Sequence, residues 1–278
     1  MFKLWNKIDF SPEHIENILN LYTIQNISIS KIAKLYQVND SVISRVLKEN
    51  NIQIRTNNFY KQKRFDETFF DVIDTEEKAY WLGFIYADGC VSHRENTDVF
   101  EIKLSETDKT HLEKLKLSLQ SEHCIGTYTS TSGYNIDKTY CSISIVNQHL
   151  VDALIKSGVT YQKTHNLKFP TTTQVPNGLI RHFIRGYFDG DGSVYCTQSD
   201  NKGCISFTGT ENMLNGILNE IKTMISTNVS LYKYKDKDIY DLKIGGNNYF
   251  KQCYEFLYND ATIFLDRKKN KFDEILNK

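Results

Sequence analysis

From Thr75 onward, the apolar positions of this 278-residue chain switch between a helical spacing of three to four and a strand spacing of two. Thr75 is placed to cap a helix running through Ala87. Strands are predicted at 91–93 and 99–104, the second with Phe100, Ile102 and Leu104 on one face and Glu101 and Lys103 on the other. A helix over 108–119 follows, then two strands within 124–146 and a helix from about Gln148 to Lys156. The same series then recurs. A helix ends at Gly190-Asp191, strands cover 194–197 and 205–208, a helix covers 211–225, strands cover 231–235 and 239–244, and a helix covers 249–258. The two copies keep step, since Asp88 to Asp108 spans the same distance as Asp191 to Glu211. Ser105-Glu106-Thr107-Asp108 also mirrors Thr208-Gly209-Thr210-Glu211. Internal repetition at this scale fixes an architecture. The expected fold is α+β: two αββαββα repeats related by a pseudo-twofold axis, over 75–170 and 171–278.

Ahead of the repeats, residues 11–50 have the pattern of three short helices. Ser11 with Pro12 starts the first. Ser30 is expected to cap a second over 31–36, and Asp40 a third that runs to about Asn50. Ile32, Ala33, Tyr36, Val38, Ile43 and Val46 form the predicted core, with small Ala33 at the helix crossing and Val38 in the turn. The third helix then presents Ser41, Ser44, Arg45 and Lys48, short hydrogen-bonding and cationic side chains suited to a DNA major groove. This stretch resembles the helix-turn-helix of resolvases and many repressors, with Gln37 where that family usually has Gly. The expected division is a helix-turn-helix domain at 1–51 and a basic, aromatic-dotted linker at 52–74.

Composition narrows the classes. At 40% apolar residues the chain can close a core. No apolar run reaches the length of a membrane span, and Met1-Phe2-Lys3-Leu4-Trp5 does not resemble a secretion signal. A protein of a cytoplasmic, organellar or viral-host interior is expected. Six scattered cysteines without C-x-x-C spacing suggest reduced packing residues rather than zinc or disulfides. Net charge is zero but segregated: residues 1–64 hold ten Lys and Arg against five Asp and Glu, the remainder 24 against 29. A basic leading segment suits a nucleic-acid partner.

Each repeat opens on a distinctive run. The first is Trp81-Leu82-Gly83-Phe84-Ile85-Tyr86-Ala87-Asp88-Gly89, the second Ile184-Arg185-Gly186-Tyr187-Phe188-Asp189-Gly190-Asp191-Gly192. Small residues stand four apart in both, Gly83 with Ala87 and Gly186 with Gly190, which puts each pair on one helix face. Two such faces permit close backbone packing. Asp88 and Asp191 then sit at helix C-termini, already partly negative. Two such ends brought together with their carboxylates call for a cation, and a bound divalent metal is expected.

These paired runs resemble the two motif copies of single-chain LAGLIDADG homing endonucleases. The segments Lys163-Thr164-His165-Asn166-Leu167-Lys168-Phe169-Pro170 and Leu265-Asp266-Arg267-Lys268 agree with that family's repeat endings, and the resemblance covers 75–275. It implies a metal-dependent endonuclease that cuts both strands of a double-stranded DNA site. The metal set would be Asp88 and Asp191, with Ala87 and Gly190 just before them. Lys163 and Lys268 would be the basic catalytic residues. Tyr86 stands where the motif has its earlier Asp, kept at Asp189, a variable position with no catalytic role expected. Mg²⁺ is the natural cofactor, with Mn²⁺ a possible substitute, because it takes few carboxylates and keeps waters. Outward strand residues that would read DNA include Lys103, Ser206, Lys233, Lys235 and Lys243. Two repeats in one chain imply a monomer. The alternatives on the same fold are a non-cutting transcription regulator and an intron RNA maturase. An intein is disfavoured by the absence of an N-terminal Cys or Ser.

Overall fold

The computed structural model describes residues 10–25, 27–54, 63–94, 97–131, 136–161, 163, 166–197, 202–235 and 238–277. Two compact units divide the chain, Met1–Lys63 and Arg64–Lys278, and each closes its own hydrophobic core.

The first unit holds α1 (Pro12–Thr23), α2 (Ile29–Leu35) and α3 (Asp40–Glu49). Ser11 caps α1 as expected, its Oγ accepting from the His14 amide at 3.3 Å. The second helix starts earlier than expected: Ser28, not Ser30, accepts from the Lys31 amide. Ser30 instead donates to the Asp40 carboxylate. That bond occupies Asp40, so Asn39 takes the cap position of α3 without a side-chain bond. Ile32, Ala33, Ile43 and Val46 are buried together with Ile18, Tyr22 and Leu47, and Tyr36 and Val38 pack against them. Gln37 adopts φ 52°, the left-handed conformation that Gly reaches freely. The turn therefore forms without Gly, at a cost of about 1 kcal/mol.

The second unit begins inside the segment expected to be a linker. Residues 55–62 of that segment lie outside the described residues. Its end does not behave as a tether: Phe69, Phe70 and Ile73 are buried in the core, and the Asp66 amide donates to the Leu119 carbonyl at 2.8 Å. The first repeat follows: α4 (Glu76–Asp88), β1 (Gly89–Arg94), β2 (Thr97–Ser105), a 3-10 turn Glu106–Asp108, α5 (Lys109–Ser118), β3 (Gly126–Thr129), β4 (Thr139–Val146) and α6 (Gln148–Lys156). The second has α7 (Ile180–Asp191) after a 3-10 turn Asn177–Leu179, β5 (Gly192–Cys196), β6 (Gly203–Gly209), α8 (Glu211–Met224), β7 (Leu231–Lys233), β8 (Tyr240–Gly245) and α9 (Asn247–Tyr258). A further helix, α10 (Asp266–Leu276), was not predicted by the pattern.

Each repeat builds one antiparallel four-stranded sheet, β1-β2-β4-β3 and β5-β6-β8-β7. The register confirms the faces read from alternation. Phe100 lies between Val91 and Ile145 and Ile102 opposite Ile143, all buried. In the second sheet, Ile205 lies between Val194 and Ile244, and Phe207 opposite Leu242. Caps hold the helices in phase: Thr75 caps α4 as expected, and Asn147 and Thr210 accept amide bonds at the starts of α6 and α8. Every residue of α4 from Ala79 to Ala87 is buried. A helix apolar on all sides belongs at the centre of a domain, and α4 lies there against α7.

Candidate active site

The two motif helices meet backbone to backbone. A Cβ on Gly83 would fall 1.9 Å from the Phe183 carbonyl oxygen, and one on Gly186 would fall 1.9 Å from that of Tyr80. One on Gly190 would lie 2.2 Å from the Ala87 Cβ. Residues 80–83 meet 183–186 and Ala87 meets Gly190 a turn further on, so α4 and α7 run in parallel and finish together. The small residues predicted to share a face do so. Gly89 and Gly192 then lead directly into β1 and β5, which leaves Asp88 and Asp191 side by side at the junction of helix and sheet. The Asp88 Oδ2 would be 3.1 Å from a Cβ on Gly190, so the first repeat's acid lies against the second repeat's helix end.

The electrostatics follow from this crowding. Asp88 is half-buried, and Asp191 is exposed but lines a pocket with Lys163, Tyr187 and Thr208. Burial pushes the Asp88 carboxyl up to about 6, the Asp191 carboxylate adds to the rise, and Lys163 and Lys268 oppose it. Burial raises Asp191 as well, opposed by the same two lysines. Lys163 donates from Nζ to the carbonyls of Ile85 at 3.0 Å, Tyr86 at 2.9 Å, and Ala87. Lys268 donates to those of Phe188 at 2.6 Å and Gly190 at 3.0 Å. Each ammonium therefore caps the negative end of one motif helix. Desolvation lowers both lysines to about 8; Asp191 and Asp88 oppose this at Lys163, and chiefly Asp189 at Lys268. Thr164 and His165 lie outside the described residues.

The donors available for a metal are two carboxylates and the carbonyl oxygens of Ala87 and Gly190. An all-oxygen set with two formal charges suits a hard divalent ion that keeps several waters. Among the described residues, no group of three or more His, Cys, Asp or Glu could hold a metal ion.

The variable motif position has a packing role. Asp189 is buried and accepts from the Tyr80 hydroxyl at 2.8 Å, the Tyr258 hydroxyl at 2.6 Å and the Leu265 amide at 2.7 Å. Its counterpart Tyr86 donates to the Ser157 carbonyl at 2.7 Å. Arg185 is fully buried; it meets Glu76 at 2.7 Å and donates to the carbonyls of Ile263 and Leu257. These bonds join α4, α7 and the C-terminal segment beneath the acids.

Sequence reasoning gave no role to Arg267 or Lys271. Arg267 grips Asp108 through two bonds of 3.1 and 2.9 Å, tying α10 to the first repeat. With Lys268 and Lys271 it lines a groove of about 380 Å³ beside Gly192, Ser193 and Val194. The only signal available was their closeness to Lys268.

The residues expected to face DNA fall in different settings. On α3, Ser41 and Lys48 are exposed, while Ser44 and Arg45 are half-buried. Lys103 is exposed, its Nζ 4.6 Å from the Tyr128 ring centre and 4.5 Å from that of Tyr140. Lys243 is exposed on the second sheet's outer face beside Asp241 at 3.4 Å. Ser206 shares that face, opposite Lys243, but is buried. Lys233 does not share it: it pairs with Tyr240, whereas its neighbour Tyr232 pairs with Asp241. Side chains alternate along a strand, so Lys233 stands on the helix-side face, near Asp238 at 3.2 Å. Lys235 is exposed beyond the end of β7.

The profile of the LAGLIDADG-like domain matches residues 75–155 and 178–257, once per repeat and over more than half of the sequence, and the chain belongs to that family. Its fold is that of solved homing endonucleases. The homing endonuclease I-WcaI bound to its DNA recognition sequence superposes with a TM-score of 0.54 at 12% identity, over 81% of this chain and 97% of that one. Meganuclease I-SmaMI bound to uncleaveable DNA with a TTCT central four gives 0.50 at 12% identity, over 73% and 90%. A curated relative, the probable translation initiation factor IF-2 of Methanocaldococcus jannaschii, is 25% identical over 210 residues, 72% of this chain. The match spans only 16% of that relative's length.

Proposed function

We propose that this protein is a site-specific DNA endonuclease of the homing type, hydrolysing one phosphodiester bond in each strand with divalent metal held by Asp88 and Asp191. The observation that carries this reading is the pair of intact acids at the joint end of two motif helices, one from each repeat. A single acid would serve one strand; two on a pseudo-twofold axis serve the two strands of a duplex. The structural neighbours I-WcaI and I-SmaMI are both described bound to DNA, which supports duplex DNA as the substrate class.

A bound Mg²⁺ or Mn²⁺ would supply Lewis acidity for hydrolysis. The rest falls to the chain. Asp88 and Asp191 hold the site in their ionised form, which their crowding makes costly in the absence of a cation. The close helix crossing fixes their separation. Lys163 and Lys268 place positive charge where the phosphate gains negative charge in the transition state, the position at which charge stabilises most. The outer faces of both sheets, with Lys103 and Lys243, supply contacts to the duplex, and α3 supplies a second contact surface.

The test is binding and cleavage of a duplex carrying the flanks of the protein's own gene, in EDTA, Ca²⁺ and Mg²⁺. Binding in Ca²⁺ and cutting only in Mg²⁺ are expected. Ca²⁺ prefers longer bonds and looser geometry. Cutting in chelator would contradict the metal role, and specific binding without cutting would favour a regulator.

A further inference from the structure

We infer that Lys163 and Lys268 are resident counter-ions of the catalytic centre: without metal, their ammonium groups hold the carbonyls of Ala87 and Gly190, and a divalent ion must displace them to bind there. The inference rests on the proposed metal role of Asp88 and Asp191. The last carbonyls of a helix have no partner within it. At the ends of α4 and α7 one lysine each reaches these carbonyls, while the Gly89 and Gly192 amides bond those of Ile85 and Phe188. Lys163 spans three consecutive carbonyls and Lys268 two. Lys268 is 6% exposed, a burial that an ammonium tolerates only when it is bonded.

Two carboxylates and two helix ends are opposed by two ammonium groups, so a large part of the repulsion in the site is offset by the chain itself. The lysines sit on the same oxygens that a metal coordinated by Asp88, Asp191 and the preceding carbonyls would need. An ammonium and a divalent ion cannot share an oxygen at about 3 Å without strong repulsion. Lysine carries its charge on a flexible four-carbon stem, so a displaced ammonium can move outward while its backbone stays in place.

The experiment uses the full chain without DNA. Free Mn²⁺ is followed by its paramagnetic resonance signal during titration, and thermal melting is recorded in EDTA. K163M and K268M should each melt below wild type in EDTA. Each should bind Mn²⁺ roughly tenfold more tightly, the worth of one charge-assisted hydrogen bond no longer in competition. In a D88N/D191N background, the melting loss on removing either lysine should shrink, because the charge it balances has gone. Unchanged or weaker Mn²⁺ binding in the lysine variants overturns the inference while leaving the metal reading in place. Failure of wild type and both variants to bind Mn²⁺ overturns the metal reading, and this inference with it. If K268M does not fold, K163M, whose side chain is only half-buried, carries the same test.

Discussion

Asp88 and Asp191 can be separated from the residues around them by changes that keep shape and remove charge. D88N or D191N should cut the cleavage rate roughly a hundredfold or more, in line with losses when a charge-stabilising group is removed. DNA affinity should stay close to wild type, because the amide preserves the helix crossing. Single-turnover cleavage beside a gel-shift titration measures both. Wild-type cutting by either variant would show that its acid is not in the reaction. His111 offers an independent residue-scale test. Its ring is buried among Tyr80, Trp81 and Phe84. The Tyr80 hydroxyl gives its one proton to Asp189, so at 3.0 Å it accepts from Nε2 of His111. Burial, helped by Lys114, lowers this imidazole from 6.5 to about 3. Between those values the unfolded chain binds more protons, so stability is full above pH 6.5 and falls as pH drops toward 3. H111F should flatten stability against pH in that window; an equally steep slope would remove His111 as the cause. The acids were legible in the sequence because their motif is local and repeated. The chain from His111 through Tyr80 and Asp189 to Tyr258 was not, because it joins residues 109 and 69 positions apart, and no spacing rule reports such contacts.

At the scale of elements, the α4–α7 crossing is the most demanding feature. Gly83 and Gly186 each face a carbonyl oxygen of the other helix, and neither carbonyl can move without breaking its own helix bond. G83A or G186A should therefore destabilise the fold by roughly 3 kcal/mol or more, at or above the top of the usual range for overpacking. Denaturant unfolding checks this; a loss below about 0.5 kcal/mol, within ordinary surface effects, would mean that the helices are not so close. The crossing was readable from small residues four apart. The α10 helix was not, because only Lys268 and Phe272 of its residues are buried. Two inward positions separated by basic residues make no apolar stripe, so pattern reading passes over it. The start of α2 shows a different limit. Ser28 and Ser30 are equally good caps by type, and the choice depends on the Ser30–Asp40 bond between two helices. Lys233 marks a third, since a three-residue edge strand leaves its register to the neighbouring strand rather than to its own alternation.

For the whole molecule, the division into two units with separate cores predicts separable tasks. A chain starting at Arg64 keeps both repeats, both acids and both lysines, so it should still cut at saturating concentration. It should bind more weakly, leave a shorter footprint and show a shallower salt dependence, since each lost phosphate contact reduces the slope of log affinity against log salt by roughly 0.9. Footprinting with a salt series measures this, and an unchanged slope would leave α1 to α3 with no part in binding. The central claim, two acids cutting two strands, is tested most directly on a supercoiled plasmid carrying the flanking sequence of the protein's own gene. With Mg²⁺, the intact chain is predicted to convert it to a linear form, while D88N and D191N leave it supercoiled or at most nicked. A plasmid that stays supercoiled with the intact chain, or is linearised equally well by either variant, would contradict the account.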